Sequence, residues 1–176
     1  MMEAGLFSRR NVKGRIYPDF FSSKAFGLGD HQVAHILTSE DQHTQQAKNV
    51  LQDLKGIHKI IDKDQQTSYN LNHKNTGDLI LVAEEGSWFA YPWWTKKREA
   101  PDFACHIDIH NKPGFDPCEL FWGFPPRVSL DINKVKGSHG RIGKGNEVAW
   151  ATSCQFTNQP TNLTELADAV KEWLKD

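Results

Sequence analysis

With 21 basic against 22 acidic side chains among 176 residues, the formal charge is -1, and no broad field gathers nucleic acid polymers or coats an anionic membrane. The length suffices for one domain burying roughly 70% of its unfolded surface, so one domain that needs no disulfide or metal as a staple is expected. Eight histidines raise the expectation of a metal site, and Cys105, Cys118 and Cys154, odd in number and without CxxC spacing, read as reduced thiols of a cytoplasmic protein.

The opening "MMEAGLFSRRNVKGRIYPDF" has no apolar leader core, and no run reaches the ~18 apolar residues of a membrane span. Residues 24–29, "KAFGLG", predict a strand with Asp30 and His31 at its C-terminal end, where open α/β sheets keep their sites. "QVAHILT" predicts a second extended segment. Ser39 is the expected N-cap of a helix carrying Ala47, Val50, Leu51 and Leu54 on one face, with Gly56 closing it. "GIHKIID" reads as a returning strand, and residues 79–83, "LILVA", as a fully buried one.

Beyond that strand "GSWFAYPWW" crowds aromatics around a proline, either as the apolar wall of a pocket or as a lid on the core. "TKKREAPDF" predicts an exposed connection. "ACHIDIHNKPGFDPCELFWGFPP" is a long irregular stretch of the kind that carries function. "EVAWATS" predicts a strand, and residues 160–176 a closing amphipathic helix with Leu163, Leu166, Ala167, Val170 and Leu174 on one face. The acceptor pattern Asn162-Leu163-Thr164 reads as chance.

Three constellations hold chemistry. Asp30 and His31 offer a carboxylate oxygen and an imidazole nitrogen, and neighbours in sequence reach one ion only where the backbone leaves strand geometry. The alternative is a hydrated strand end. His106, Asp108 and His110 in "HIDIH" share period two, which suits either a metal or phosphate contact or the wet face of an edge strand. "GSHGR" sets His139 between glycines with Arg141 two residues on, which suits close approach to an ion and a bidentate phosphate clamp, or else an ordinary turn.

Taken together, Asp30-His31, "GDLILVAEEGSWFAYPWW", "APDF", "DIHNKPGFDP" and "KGSHGR" resemble, in order and from about Gly5 through Ser153, the C-terminal half of the alkaline phosphatase superfamily. The nucleotide pyrophosphatase/phosphodiesterase branch is the nearest, with phosphonoacetate hydrolase a relative. The resemblance implies an α/β fold, part of a three-layer α/β/α sandwich. It also implies two divalent ions, usually zinc, in the complete enzyme. Asp30 and His31 would hold one ion and His139 the other; His110 and Arg141 would lie at the substrate, a phosphorylated small molecule or nucleotide.

The departure from the family is as informative. Its Thr or Ser nucleophile, a further metal-binding Asp and an Asp-x-x-x-His pair precede the Asp-His pair, and nothing ahead of Asp30 resembles them; Asp19 has no histidine four residues on. The expectation is therefore the C-terminal portion of a phosphodiester or pyrophosphate hydrolase, inactive alone, with an N-terminal half as partner. Two rivals are a non-catalytic binding or scaffold domain that keeps the fold, and a small metalloenzyme centred on "HIDIH".

Overall fold

The computed structural model describes residues 1–106, 121–124 and 127–175, and its contacts divide the chain into two compact units, Met1–Arg141 and Ile142–Asp176. Asp108, His110 and Cys118, with most of the long irregular stretch, lie outside the described residues.

The first unit is mixed α/β. A hairpin of β1 (Arg9–Val12) and β2 (Arg15–Pro18) turns at Lys13 and Gly14, both at positive φ. There follow β3 (Ala25–Asp30), β4 (Val33–Thr38), α1 (Asp41–Leu51), β5 (Ile57–Asp62), the single turn α2 (Lys63–Gln66) and β6 (Leu79–Ala83). The second sheet has the order β3-β4-β6-β5, and every adjacent pair is antiparallel. Because β4 and β5 each oppose β6, they run parallel to one another, and α1 is the crossover between them. The strand, helix, strand order is thus present, but its two strands are split by β6.

Burial explains that order. The run Leu79–Ala83 has four of its five residues buried, so it takes an inner position. Leu79 and Leu81 meet Ala34 and Ile36 of β4, Ala25 of β3, and Ala47 and Leu51 of α1, with Leu6 closing the cluster. Ile80 and Ile61, paired across β6 and β5, point the other way and are also buried. The helical face expected at Ala47, Val50 and Leu51 faces this core, whereas Leu54 falls beyond the helix and is exposed. Glu40, not Ser39, occupies the N-cap position, because the Ser39 hydroxyl is engaged with His43 Nδ1 (2.9 Å).

Lys48 on α1 reaches Asp62 at the end of β5, with Nζ donating to Oδ2 at 2.8 Å. That hydrogen bond holds the Asp62 carboxyl below the usual carboxylate range. A depressed folded value means that the pair's stabilisation is present above the unfolded aspartate pKa, about 3.9, and is lost as pH falls through the folded one. Both side chains are about one-third exposed, so Lys48→Met is expected to cost less than about 1 kcal/mol at pH 7. Urea melts at pH 7 and pH 3 check it: the difference from wild type should shrink at the lower pH.

"WFAYPWW" and "TKKREAPDF" run back along β1 and β2. Trp93 Nε1 donates to Ile16 O at 2.9 Å, Arg9 Nη1 to Trp93 O at 3.0 Å, and Tyr17 Oη to Asp102 at 2.9 Å. Tyr91, Trp93 and Trp94 form an edge-to-face cluster there, with Phe103 tilted against Trp93. The aromatics thus lie against the β1–β2 hairpin, and Phe89 of the same stretch packs against the core cluster.

In the second unit, α3 (Leu163–Trp173) is the predicted closing helix. Asn162 Oδ1 accepts the Glu165 N–H at 2.9 Å, so the residue of the formal glycosylation pattern serves as the helix cap. The apolar face is not buried: Leu163, Val170 and Leu174 are exposed. The strand expected in "EVAWATS" is absent. No described strand of this unit is there to pair with it, Val148 is exposed, and an extended segment without a neighbour has no ladder for its backbone groups. Among the described residues, no helix is long and apolar enough to cross a membrane. Cys105 and Cys154 are free thiols.

Candidate metal centre

Asp30 ends β3 and pairs with Val33, so His31 and Gln32 make the whole connection to β4. A two-residue hairpin loop calls for positive φ at its first position, and His31 supplies it at φ 57°. A side chain in that region costs roughly 1–3 kcal/mol unless its surroundings hold it. They do: His31 O accepts the Phe89 N–H at 2.7 Å, Gln32 O accepts the Ala83 N–H at 2.9 Å, and Gln32 Nε2 donates to Ser87 O at 3.1 Å. Gly29 permits the approach of Phe89, whose carbonyl oxygen a Cβ would meet at 2.9 Å.

The left-handed residue breaks the alternation of β3. It turns the His31 side chain into the protein, 9% exposed, beside an Asp30 carboxylate that stays 74% exposed. Nε2 of the one stands 4.0 Å from Oδ1 of the other. This answers how neighbours in sequence come to share a site: the hairpin turn, not a strand, presents them.

The "GSHGR" segment lies against this tip. His139 O accepts the Gln32 N–H at 2.9 Å, and Arg141 Nη1 donates to Ala83 O at 3.1 Å. Gly140, at φ 117°, sits where a Cβ would meet Val33 Cγ2 at 3.1 Å, so glycine lets the turn close onto β4. Ser138 Oγ lies 2.9 Å from His31 Nδ1. The imidazoles of His31 and His139 stack with centroids 3.8 Å apart and planes 33° from parallel. One ligand-capable atom from each of Asp30, His31 and His139 lies within 4.8 Å of the others.

One carboxylate oxygen and two imidazole nitrogens suit zinc or a similar borderline ion, and three protein ligands are what an open, catalytic zinc site carries. The structure therefore brings Asp30, His31 and His139 into one group. Arg141 adjoins it, with part of its guanidinium committed to Ala83 O and Nε buried without a hydrogen-bond partner. His106 is not on a strand face: it follows a 3-10 turn, and its Nδ1 lies 2.9 Å from Asp102 O and 3.5 Å from Cys105 Sγ. Ser138 and Gln32 escaped the sequence reading, and only the adjacency of Ser138 to His139 could have flagged it. No family model matches the chain, and no curated protein or solved structure matches it significantly.

Proposed function

We propose that this chain is the C-terminal portion of a metal-dependent hydrolase of phosphodiester or pyrophosphate bonds, of the nucleotide pyrophosphatase/phosphodiesterase kind within the alkaline phosphatase superfamily. On this reading, the sheet and α1 belong to a larger three-layer sandwich. The observation that carries the reading is the convergence of the Asp30-His31 pair with His139, donors from two segments more than a hundred residues apart along the chain. Those are the positions at which the motif resemblance puts metal ligands.

The resemblance assigns His31 with Asp30 to one ion and His139 to a second in the complete enzyme. When bound, such ions polarise a phosphoryl group and stabilise the entering and leaving oxygens of an in-line displacement. The chain's own residues do the rest. Asp30 contributes negative charge at an open surface, His31 and His139 contribute nitrogen lone pairs, and Arg141, whose Nη1 is given to Ala83 O and whose Nε is buried, would offer Nη2 to phosphate oxygens. His110, assigned to the substrate by the same resemblance, lies outside the described residues.

The attacking hydroxyl belongs to the N-terminal half in this reading, so the chain alone should turn over nothing measurable. Supplying a segment that carries the nucleophile, a metal-binding Asp and the Asp-x-x-x-His pair is expected to give zinc-dependent cleavage of bis-nitrophenyl phosphate. Rescue that survives His139→Ala discards the assignment.

A further inference from the structure

We infer that Ser138 is a positioning residue for His31, and that the 137–141 turn delivers the second imidazole and orients the first in one closure. The inference rests on the metal-binding reading above and adds to it a residue that touches neither metal nor substrate.

A neutral imidazole has one N–H and one lone pair, and a metal takes the lone pair. His31 Nδ1 lies 2.9 Å from Ser138 Oγ, while its Nε2 faces Asp30 at 4.0 Å. With Nδ1–H donating to the hydroxyl oxygen, the lone pair is on Nε2, the nitrogen that looks toward the other donors. Rotation of the ring by half a turn about its terminal torsion would swap Nδ1 for a carbon and point the lone pair elsewhere. That torsion has two broad minima, so something outside the ring must choose between them.

The backbone cannot make that choice, because it sets only where the side chain starts. The His31 carbonyl is committed to Phe89 N–H, and φ is fixed by the hairpin. The Ser138 hydroxyl is placed by a different device: the neighbouring His139 carbonyl is tied to Gln32 N–H, and Arg141 is tied to Ala83 O. Ser138 and His139 are consecutive, so one turn carries both the partner of the first ligand and the second ligand. A turn displaced from the hairpin loses both together, which makes assembly of the site a single event. A hydroxyl is also a weaker acceptor than the carboxylate common at this position in metal sites, so it orients the ring while adding little to its basicity.

The test is a cobalt titration of the full chain, read from the visible ligand-field bands, in wild type, Ser138→Thr, Ser138→Val and Ser138→Ala. Threonine and valine share a shape and differ in the hydroxyl alone. The expected result is near-wild-type affinity for Ser138→Thr and a loss of about 10–100-fold for Ser138→Val and Ser138→Ala, with altered band positions. Metal-free melting should be unchanged in all three. Equal affinity and identical bands in the valine and threonine variants overturn the inference while leaving the metal reading intact. A wild-type chain that takes up no cobalt, or a His139→Ala chain that takes it up as wild type does, overturns the metal reading and this inference with it.

Discussion

Replacing His139 by alanine is expected to abolish the response of the chain to zinc or cobalt while leaving its metal-free stability almost untouched. The structural duty at this position falls on the backbone, since it is the carbonyl of His139 that holds the Gln32 N–H. The imidazole stacks on His31 and is otherwise exposed, so its removal belongs with surface substitutions, within about 0.5 kcal/mol. Loss of one donor of three is a different matter. The effect should exceed the ~10–100-fold typical of an outer partner, because in the chain alone the three donors suffice for one open site, and an ion left with one carboxylate and one imidazole has too few protein ligands to be retained. Calorimetric melts with chelator and with added zinc separate the two effects. A zinc-dependent rise in Tm that persists in His139→Ala reassigns the site.

The second large effect is on the fold. Leu79→Ala removes a side chain that is fully buried, from a strand flanked on both sides and in register with Ile36 of β4 and Asp62 of β5. The surrounding cluster comes from four other elements or segments and cannot all collapse into the space, so a cost of about 2–5 kcal/mol is expected. Against a typical total of about 5–15 kcal/mol, that is a large share. Urea denaturation followed by far-UV circular dichroism measures it. A loss under about 1 kcal/mol would mean that β6 is not the keystone of this sheet.

Much of this was legible in the residues. The uninterrupted apolar run of β6 announced its own burial, the 3.6-residue spacing of Ala47, Val50 and Leu51 announced α1, and that of Leu163, Leu166, Ala167 and Val170 announced α3. The pairing of strands was not legible. A two-residue turn made of His31 and Gln32 lacks the Asn-Gly or Asp-Gly signature that marks hairpins, so nothing local declared β3 and β4 antiparallel neighbours. The β1–β2 hairpin could have been found, since "RRNV" and "RIYP" flank Lys13-Gly14, a pair with glycine in second place. "EVAWATS" failed for a general reason: β-propensity describes a fit to neighbours, and a segment without them does not become a strand.

For the site, the sequence pointed to Asp30, His31 and His139 through motif order rather than spacing, and the hairpin tip supplies the geometry that spacing could not. Arg141, expected as a phosphate clamp or as part of an ordinary turn, ties its turn to β6 in the structure. Ser138 was invisible because a lone hydroxyl carries no chemical signature until its neighbour in space is known.

The left-handed backbone at His31 sets turn comfort against chemistry. Glycine or asparagine would relax that conformation, and a population of variants selected for heat endurance alone should drift to one of them at this position. Selection on a metal-dependent output should hold the imidazole fixed. The difference between the two outcomes at one codon would measure how far this loop has been kept for what it binds rather than for how well it folds.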